Sequence, residues 1–228
     1  MLAIILPASD IMEIADQAGC YVIEDAAQCI DATWNGKALG GIGHLGAFSF
    51  HETKNVQCGE GGALCINDPA LIERAEILWE KGTNRSRFFR GEVDKYTWVD
   101  VGSSFLPSDL LAAYLYAQFE QLDAITTRRK ALHRRYREAF AQLENAGKVQ
   151  GPVVPNEEEY NAHIYYLLLD SEQSRDELIA FLRKENIHAV FHYLPLHLSP
   201  MGRTFGGAKA DCAVTEDISG RLVRLPLY

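Results

Sequence analysis

Two short apolar runs, each ending beside a chemically capable residue, constrain this chain most. Tyr21-Val22-Ile23-Glu24 is followed at once by Asp25-Ala26-Ala27-Gln28, and Gly46-Ala47-Phe48-Ser49-Phe50 leads through His51-Glu52-Thr53 to Lys54. Runs of this kind read as buried strands. Open α/β sheets collect their ligands just past strand ends, so an aspartate and a lysine stand where such a sheet places its chemistry. The glycine cluster Gly59-Glu60-Gly61-Gly62 follows. A lysine among apolar and glycine neighbours can lose its proton and attack a carbonyl. An acid near it can hold a protonated ring nitrogen. These are the two protein groups that a pyridoxal phosphate (PLP) site needs, with Lys54 as the Schiff-base lysine and Asp25 as the pyridinium partner.

The surrounding pattern alternates strands and helices. Residues 3–6 read as a short strand, and Ser9 is placed to cap a helix that ends at Gly19. With Tyr21–Glu24 this makes a parallel βαβ unit. Asn35-Gly36 marks a hairpin turn. Strands are expected at 48–50 and 63–66. Asp68-Pro69 opens a helix that stops at Gly82. Residues 83–106 have little periodicity and read as a long functional loop. Ser108-Asp109 caps a long helical stretch, bent midway, that runs to about Ala146 and ends at Gly147. Its basic run, Arg128-Arg129-Lys130 and Arg134-Arg135-Arg137, reads as a solvated face. Beyond Val149 the pattern becomes a smaller α+β unit. It has strands at 163–169 and 187–191, a capping box at Ser174-Arg175-Asp176-Glu177, and a last helix near 214–222.

Composition excludes several classes. The 228 residues, 47% of them hydrophobic and 23% charged, suit a chain that buries a core. The net charge of −9 argues against non-specific nucleic-acid binding. An anionic substrate must then be met by a local cluster of cations. The five cysteines form no C-x-x-C pair, which points to reduced thiols and no metal site. The apolar N-terminus is too short to span a bilayer. The expectation is a cytoplasmic protein without membrane or nucleic-acid partners.

The runs Glu24-Asp25-Ala26-Ala27-Gln28 and Ser49-Phe50-His51-Glu52-Thr53-Lys54-Asn55 resemble those of the DegT/DnrJ/EryC1/StrS family of PLP-dependent sugar aminotransferases. So do Gly82-Thr83-Asn84-Arg85-Ser86 and Asp94-Lys95-Tyr96-Thr97-Trp98, and the resemblance extends over nearly the whole chain. It implies an α/β fold of the aspartate-aminotransferase type (fold type I). Residues 1–147 would be the C-terminal part of a PLP-binding large domain with a parallel-type sheet and the long helix. Residues 148–228 would be a small α+β domain, C-terminally incomplete. The family's phosphate-binding loop and ring-stacking aromatic lie ahead of the position matching Met1, so a truncated member is expected.

The resemblance also assigns roles. PLP would be covalent on Lys54, which would also move the proton during transfer. Asp25 would hold the ring nitrogen, Gln28 would lie against the ring and its hydroxyl, and Ser49 would contact the phosphate. Ser104 aligns with a residue that reaches the phosphate of a partner subunit. The family's common Asn-Tyr-Arg-Met run is here Ser104-Phe105-Leu106-Pro107, however. Arg85 and Arg87, with Arg90 and Lys95, have two readings: contacts to a nucleotide-sugar diphosphate, or surface ion pairs. His197 is either a substrate contact over the sugar or a structural histidine. The implied reaction moves an amino group from L-glutamate to dTDP-4-dehydro-6-deoxyglucose, giving dTDP-4-amino-4,6-dideoxygalactose for surface polysaccharide such as enterobacterial common antigen. A homodimer is implied. The alternatives are an aminotransferase for another nucleotide-sugar and a non-catalytic fragment that pairs with a full-length relative.

Overall fold

The computed structural model describes residues 8–154, 156, 159–207 and 211–227, so the strand expected at 3–6 lies outside the described residues. The chain divides into two compact units. The first comprises Met1–Thr126 with Glu158–His163, and the second Thr127–Glu157 with Ile164–Tyr228.

In the first unit, α1 (Ala8–Ala18) begins one residue ahead of Ser9, so Ser9 lies inside the helix and does not cap it from outside. Gly19, at φ 65°, ends it, and Cys20 N–H closes onto Ala15 O. The strands β1 (Ile23–Asp25), β2 (Thr33–Trp34), β3 (Lys37–Ala38), β4 (Leu45–Ser49) and β5 (Gly62–Ile66) follow. β2 and β3 form the expected hairpin, with Asn35 at φ 50° and Gly36 at φ 75°. These values suit a type I′ turn. The main sheet has the order β1-β4-β5. β1 is parallel to β4, in register Ile23↔Leu45 to Asp25↔Ala47, while β5 is antiparallel to β4. The sheet is therefore mixed and not wholly parallel. The connection from β4 to β5 doubles back on itself, with Phe50 N–H on Gly61 O and Cys58 N–H on Phe50 O, and so returns the chain antiparallel.

Asp68 caps the next helical stretch as expected, its carboxylate accepting from Ala70 N–H, with Pro69 opening a 3-10 turn that continues as α2 (Ile72–Trp79). The supposed loop after it contains a short helix, α3 (Arg85–Phe89). Ser108 accepts from Leu111 N–H and caps α4 (Asp109–Phe119). The long helix is interrupted after Phe119 and resumes as α5 (Leu122–Asn145).

In the second unit, β6 (Tyr165–Leu168), α6 (Glu172–Lys184), β7 (Val190–Phe191), α7 (Pro200–Thr204), α8 (Ala213–Arg221) and β8 (Leu222–Leu225) follow one another. α6 starts earlier than the capping-box reading places it. Ser171, in extended conformation, caps it and accepts from Ser174 N–H. The sheet order is β6-β8-β7, antiparallel throughout, so the last strand of the sequence is the central one. Its core is the fully enclosed Tyr165 with Leu167, Leu222 and Val223. The Tyr165 ring stacks on Tyr136 at 4.8 Å and takes His133 edge-on at 4.8 Å. Spacing i, i+3, i+7 sets His133, Tyr136 and Phe140 on one face of α5. The basic run of α5 is not wholly solvated, because Arg129 donates to Leu227 O at 2.8 Å.

The Tyr165 hydroxyl is buried without a hydrogen-bond partner, and burial, aided by the Glu144 carboxylate, pushes it up to about 12. Removing an unpaired hydroxyl costs little, whereas removing the ring leaves a cavity. Tyr165→Phe is therefore expected to unfold in urea within about 1 kcal/mol of wild type, or later than it. Tyr165→Ala should lose about 3–5 kcal/mol. A loss of about 2 kcal/mol or more in the phenylalanine variant would mean that the hydroxyl is bonded.

Candidate active site

The first unit brings the ends of β1 and β4 to one edge of the sheet. β1 is held there by its own Glu24. That carboxylate accepts from the backbone N–H of Gly40 at 2.7 Å, Ile42 at 2.7 Å and Gly43 at 2.6 Å. Hydrogen bonds to an ionised acceptor are about twice as strong as neutral ones. Asn67 closes the loop from the other side, donating to Gly40 O and Gly43 O. β4 passes so close to this loop that a side chain at Gly46 would overlap the Gly40 carbonyl. Glu24 was not singled out in sequence. The signal available was the small-residue run Gly40-Gly41-Ile42-Gly43, which leaves its N–H groups open to an anion.

At the last paired residue of β1, Asp25 accepts from Ala27 N–H at 3.2 Å and otherwise exposes its carboxylate. This is an Asx turn. Gln28 is half-buried, and its side-chain oxygen Oε1 is buried with no partner. At the end of β4, Ser49 Oγ accepts weakly from His51 N–H at 3.4 Å. The chain then returns to β5 by a narrow link, with Phe50 N–H on Gly61 O and Glu52 N–H on Gly59 O. Lys54 sits in that link, half-buried, its own N–H turned back onto His51 O. The His51 ring meets Thr53 Oγ1 at 3.0 Å.

Two residues that sequence reasoning missed join these turns. Asn161 Nδ2 donates to both Gln28 O and Ile30 O at 2.8 Å. The Asn161 carbonyl accepts from Asn55 Nδ2 at 3.0 Å, and Asn55 Oδ1 meets His163 Nδ1 at 2.8 Å. Asn55 follows Lys54 directly, and the residue after it, Val56, is fully buried.

Lys54 and Asp25 both act electrostatically on one more group. Burial pushes the Cys29 thiol up from its ordinary value. Asp25 and Glu24 push it the same way, while a Gln28 backbone hydrogen bond and Lys54 pull it down.

The remaining expected residues are held by partners of their own. Ser104 is exposed and bridges Glu80 just beyond α2. Arg85 pairs with the buried Glu80 at 2.6 Å and lies over the Phe89 ring. Arg87 holds Glu73 and Glu92, and Arg90 holds Glu76 and Glu92. The Arg90 guanidinium keeps the Glu92 carboxyl below its usual range. His197 is in the second unit, its Nε2 at 2.8 Å from Glu216. A cavity of about 490 Å³, lined by 147–153, 168–170 and Arg221, also belongs to the second unit, and none of the expected site residues lines it.

Comparison with known proteins identifies the family. The model of the DegT/DnrJ/EryC1/StrS aminotransferase family matches residues 5–228. The chain belongs to this family. The spore coat polysaccharide biosynthesis protein SpsC of Bacillus subtilis is 32% identical over 226 residues, which is 96% of this chain and 57% of SpsC. The dTDP-3-amino-3,4,6-trideoxy-alpha-D-glucose transaminase of Streptomyces venezuelae is 30% identical, over 94% of this chain and 53% of that enzyme. In the crystal structure of a DegT/DnrJ/EryC1/StrS aminotransferase from Brucella abortus, the match has a TM-score of 0.81 and 29% identity. It covers 99% of this chain and 57% of that one. The fold is thus part of the aspartate-aminotransferase type, and this family member spans little more than half the length of the relatives it matches.

The electrostatics of Cys29 give a direct check on the placement of Lys54. Lys54→Met removes a charge that stabilises the thiolate. At mildly alkaline pH the Cys29 thiolate fraction should fall and its alkylation slow about twofold or more, with exposed Cys20 unchanged. Peptide mass spectrometry after iodoacetamide follows both. Unchanged Cys29 kinetics would separate Lys54 from this edge.

Proposed function

We propose that this chain carries the lysine and carboxylate of a PLP-dependent sugar aminotransferase. The observation that carries the proposal is the parallel pairing of β1 with β4, which sets Asp25 and the Lys54 link at one sheet edge. The unpartnered, buried Gln28 oxygen beside them supports the fit, because such an atom calls for a donor that the chain does not supply. When bound, PLP supplies an electron sink that lets a carbon bearing nitrogen give up and regain a proton.

In this proposal the Lys54 amine holds the cofactor and moves that proton. The Asp25 carboxylate, exposed at the end of β1, keeps a ring nitrogen protonated. Gln28 Oε1 accepts from the ring side, and Ser49 donates toward phosphate. Ser104 serves a second subunit's phosphate in a homodimer. Arg87 serves a diphosphate by exchanging its present carboxylate partners, Arg85 serves it with guanidinium nitrogens other than the Nη1 that holds Glu80, and His197 serves the sugar. The domains divide at 147, with residues 1–147 in the cofactor domain and 148–228 in the small one. The substrate is a nucleotide-linked 4-keto-6-deoxy sugar, dTDP-4-dehydro-6-deoxyglucose, with L-glutamate as donor and dTDP-4-amino-4,6-dideoxygalactose as product. The name of the Streptomyces venezuelae relative supports a dTDP-sugar. That of SpsC supports polysaccharide synthesis, here in the cytoplasm. No described helix is long and apolar enough to cross a membrane.

A second proposal, a non-catalytic fragment that pairs with another polypeptide, is supported by the exposed apolar surface of the first unit. Trp98 is 75% and Leu110 84% exposed. One experiment separates the two. The chain is incubated with PLP, the visible absorption band is recorded, and borohydride reduction followed by peptide mass locates the attachment. L-Glutamate and the keto sugar are then added. A stoichiometric band lost in Lys54→Ala, with amino-sugar formation abolished in the same variant and strongly reduced in Asp25→Asn, is the expected result. A Lys54-linked cofactor without turnover would favour the fragment. No linkage at Lys54, under conditions where a full-length relative links its own lysine, would remove the first proposal.

A further inference from the structure

The geometry points to Asn161 as a positioning residue that fixes the spacing between the Lys54 turn and the Asp25–Gln28 turn, a role that rests on the function proposed above. The β1–β4 ladder ends at the pair Asp25↔Ala47. Gln28 and Lys54 both lie beyond it, where no ladder bond sets the distance between the chains. Asn161 spans that gap. Its side-chain amide spends both hydrogens on Gln28 O and Ile30 O, and its carbonyl accepts from Asn55, the neighbour of Lys54. It is 1% exposed, so water does not substitute for these bonds.

The chain is bent to make this arrangement. Ala162, fully buried, adopts φ 51°, a left-handed conformation that residues other than glycine disfavour. The residues on either side of it, Asn161 and His163, meet the same Asn55 side chain. The donation of Asn55 Nδ2 to a carbonyl orients its amide, leaving Oδ1 to face His163 Nδ1. That nitrogen must therefore carry the proton, because two acceptors would repel. The result is one directed chain of donors from His163 through Asn55 and Asn161 to the Gln28 turn. Such a chain moves as a unit, so the amine of Lys54 and the groups at Asp25 and Gln28 keep one separation.

The test uses the full chain and the isosteric variant Asn161→Asp, which keeps the shape and the backbone carbonyl but loses both N–H donors. Amide hydrogen exchange is followed without cofactor, and PLP affinity by the Lys54-dependent band. The Cys29, Ala32 and Lys54 amides, bonded within the turns at 26–32 and 51–54 that Asn161 bridges, should exchange about tenfold faster or more, together, in the variant. The Leu45–Ser49 ladder amides should be unchanged. PLP affinity should fall about tenfold or more, and the proton titration of the band should shift. Acceleration that spreads equally through the ladder would mean a merely structural residue and would overturn the assignment. So would unchanged turn amides, or acceleration with unchanged affinity. If wild type forms no Lys54 link, the function proposed above fails, and the exchange data alone decide the positioning role. If Asn161→Asp does not fold, the wild-type data decide. The three turn amides must then open with one common free energy, and independent openings would refute the coupling.

Discussion

Parallel pairing of β1 with β4 is the constraint on which the rest of this molecule depends, and it is held by a carboxylate more than by side-chain packing. β1 has only three residues, and its Ile23 is largely exposed. So short a strand has little ladder of its own. Glu24 compensates by gathering three N–H groups of the 40–43 loop, and His44 adds a bond from Val22 N–H. The loop that precedes β4 is thereby bound to β1 by contacts additional to the strand pairing. Two glycines of the loop answer to the same contact, since a side chain at Gly40 would overlap the Phe48 ring of β4 and one at Gly43 would crowd Val22 O and Glu24. Once this edge is formed, Asp25 and the link bearing Lys54 leave the sheet on the same side, and Asn161 bridges the turns that follow.

This local character explains what the sequence made legible. The strand ends, the Asn35-Gly36 turn, the Asp68 cap and the Ser108 cap each depend on a few neighbouring residues, so pattern alone locates them. Asn161 and His163 were not legible. Asn161 reaches Gln28 across 133 positions, and nothing in the run Asn161-Ala162-His163 distinguishes a joining segment from an ordinary strand entry. β8 was hidden for a related reason. Leu222-Val223-Arg224-Leu225 precedes a proline and reads as a chain end, and it becomes the middle strand only because β6 and β7 flank it. α3 was hidden because its support is ionic. Five residues rich in arginine have no apolar period, but Arg87 and Arg85 find carboxylates on and just beyond α2.

Those ionic links bear on how an anionic substrate would be received. Arg85, Arg87 and Arg90 each have a carboxylate partner, and Glu92 is shared by two of them. A surface pair of this kind contributes on the order of 1 kcal/mol or less, so exchanging a carboxylate for a diphosphate costs little. The pair between Arg85 and the buried Glu80 differs. Removing its arginine would leave a carboxylate without its cation in a site that excludes water. Arg87 and Arg90 are therefore the freer of the three, and Arg85 is the one most bound to a structural duty.

The two units also differ in what holds them. The second encloses Tyr165, Leu222 and Val223 completely, and its aromatic stack gives it a core in the ordinary sense. The first encloses Phe50, Val56 and several small side chains, while Ile14, Trp98, Phe105 and Leu110 face outward. α4 is apolar around its circumference, with no buried residue, and a helix of that composition is normally covered. Burial at about 25 cal/mol per Å² therefore contributes less to the first unit than to the second. The polar links must carry a larger share there. Unlike a hydrophobic core, they specify distances rather than merely favouring compaction. A site that must hold an amine and a carboxylate at one separation is better served by the Glu24 and Asn161 bonds than by additional apolar area.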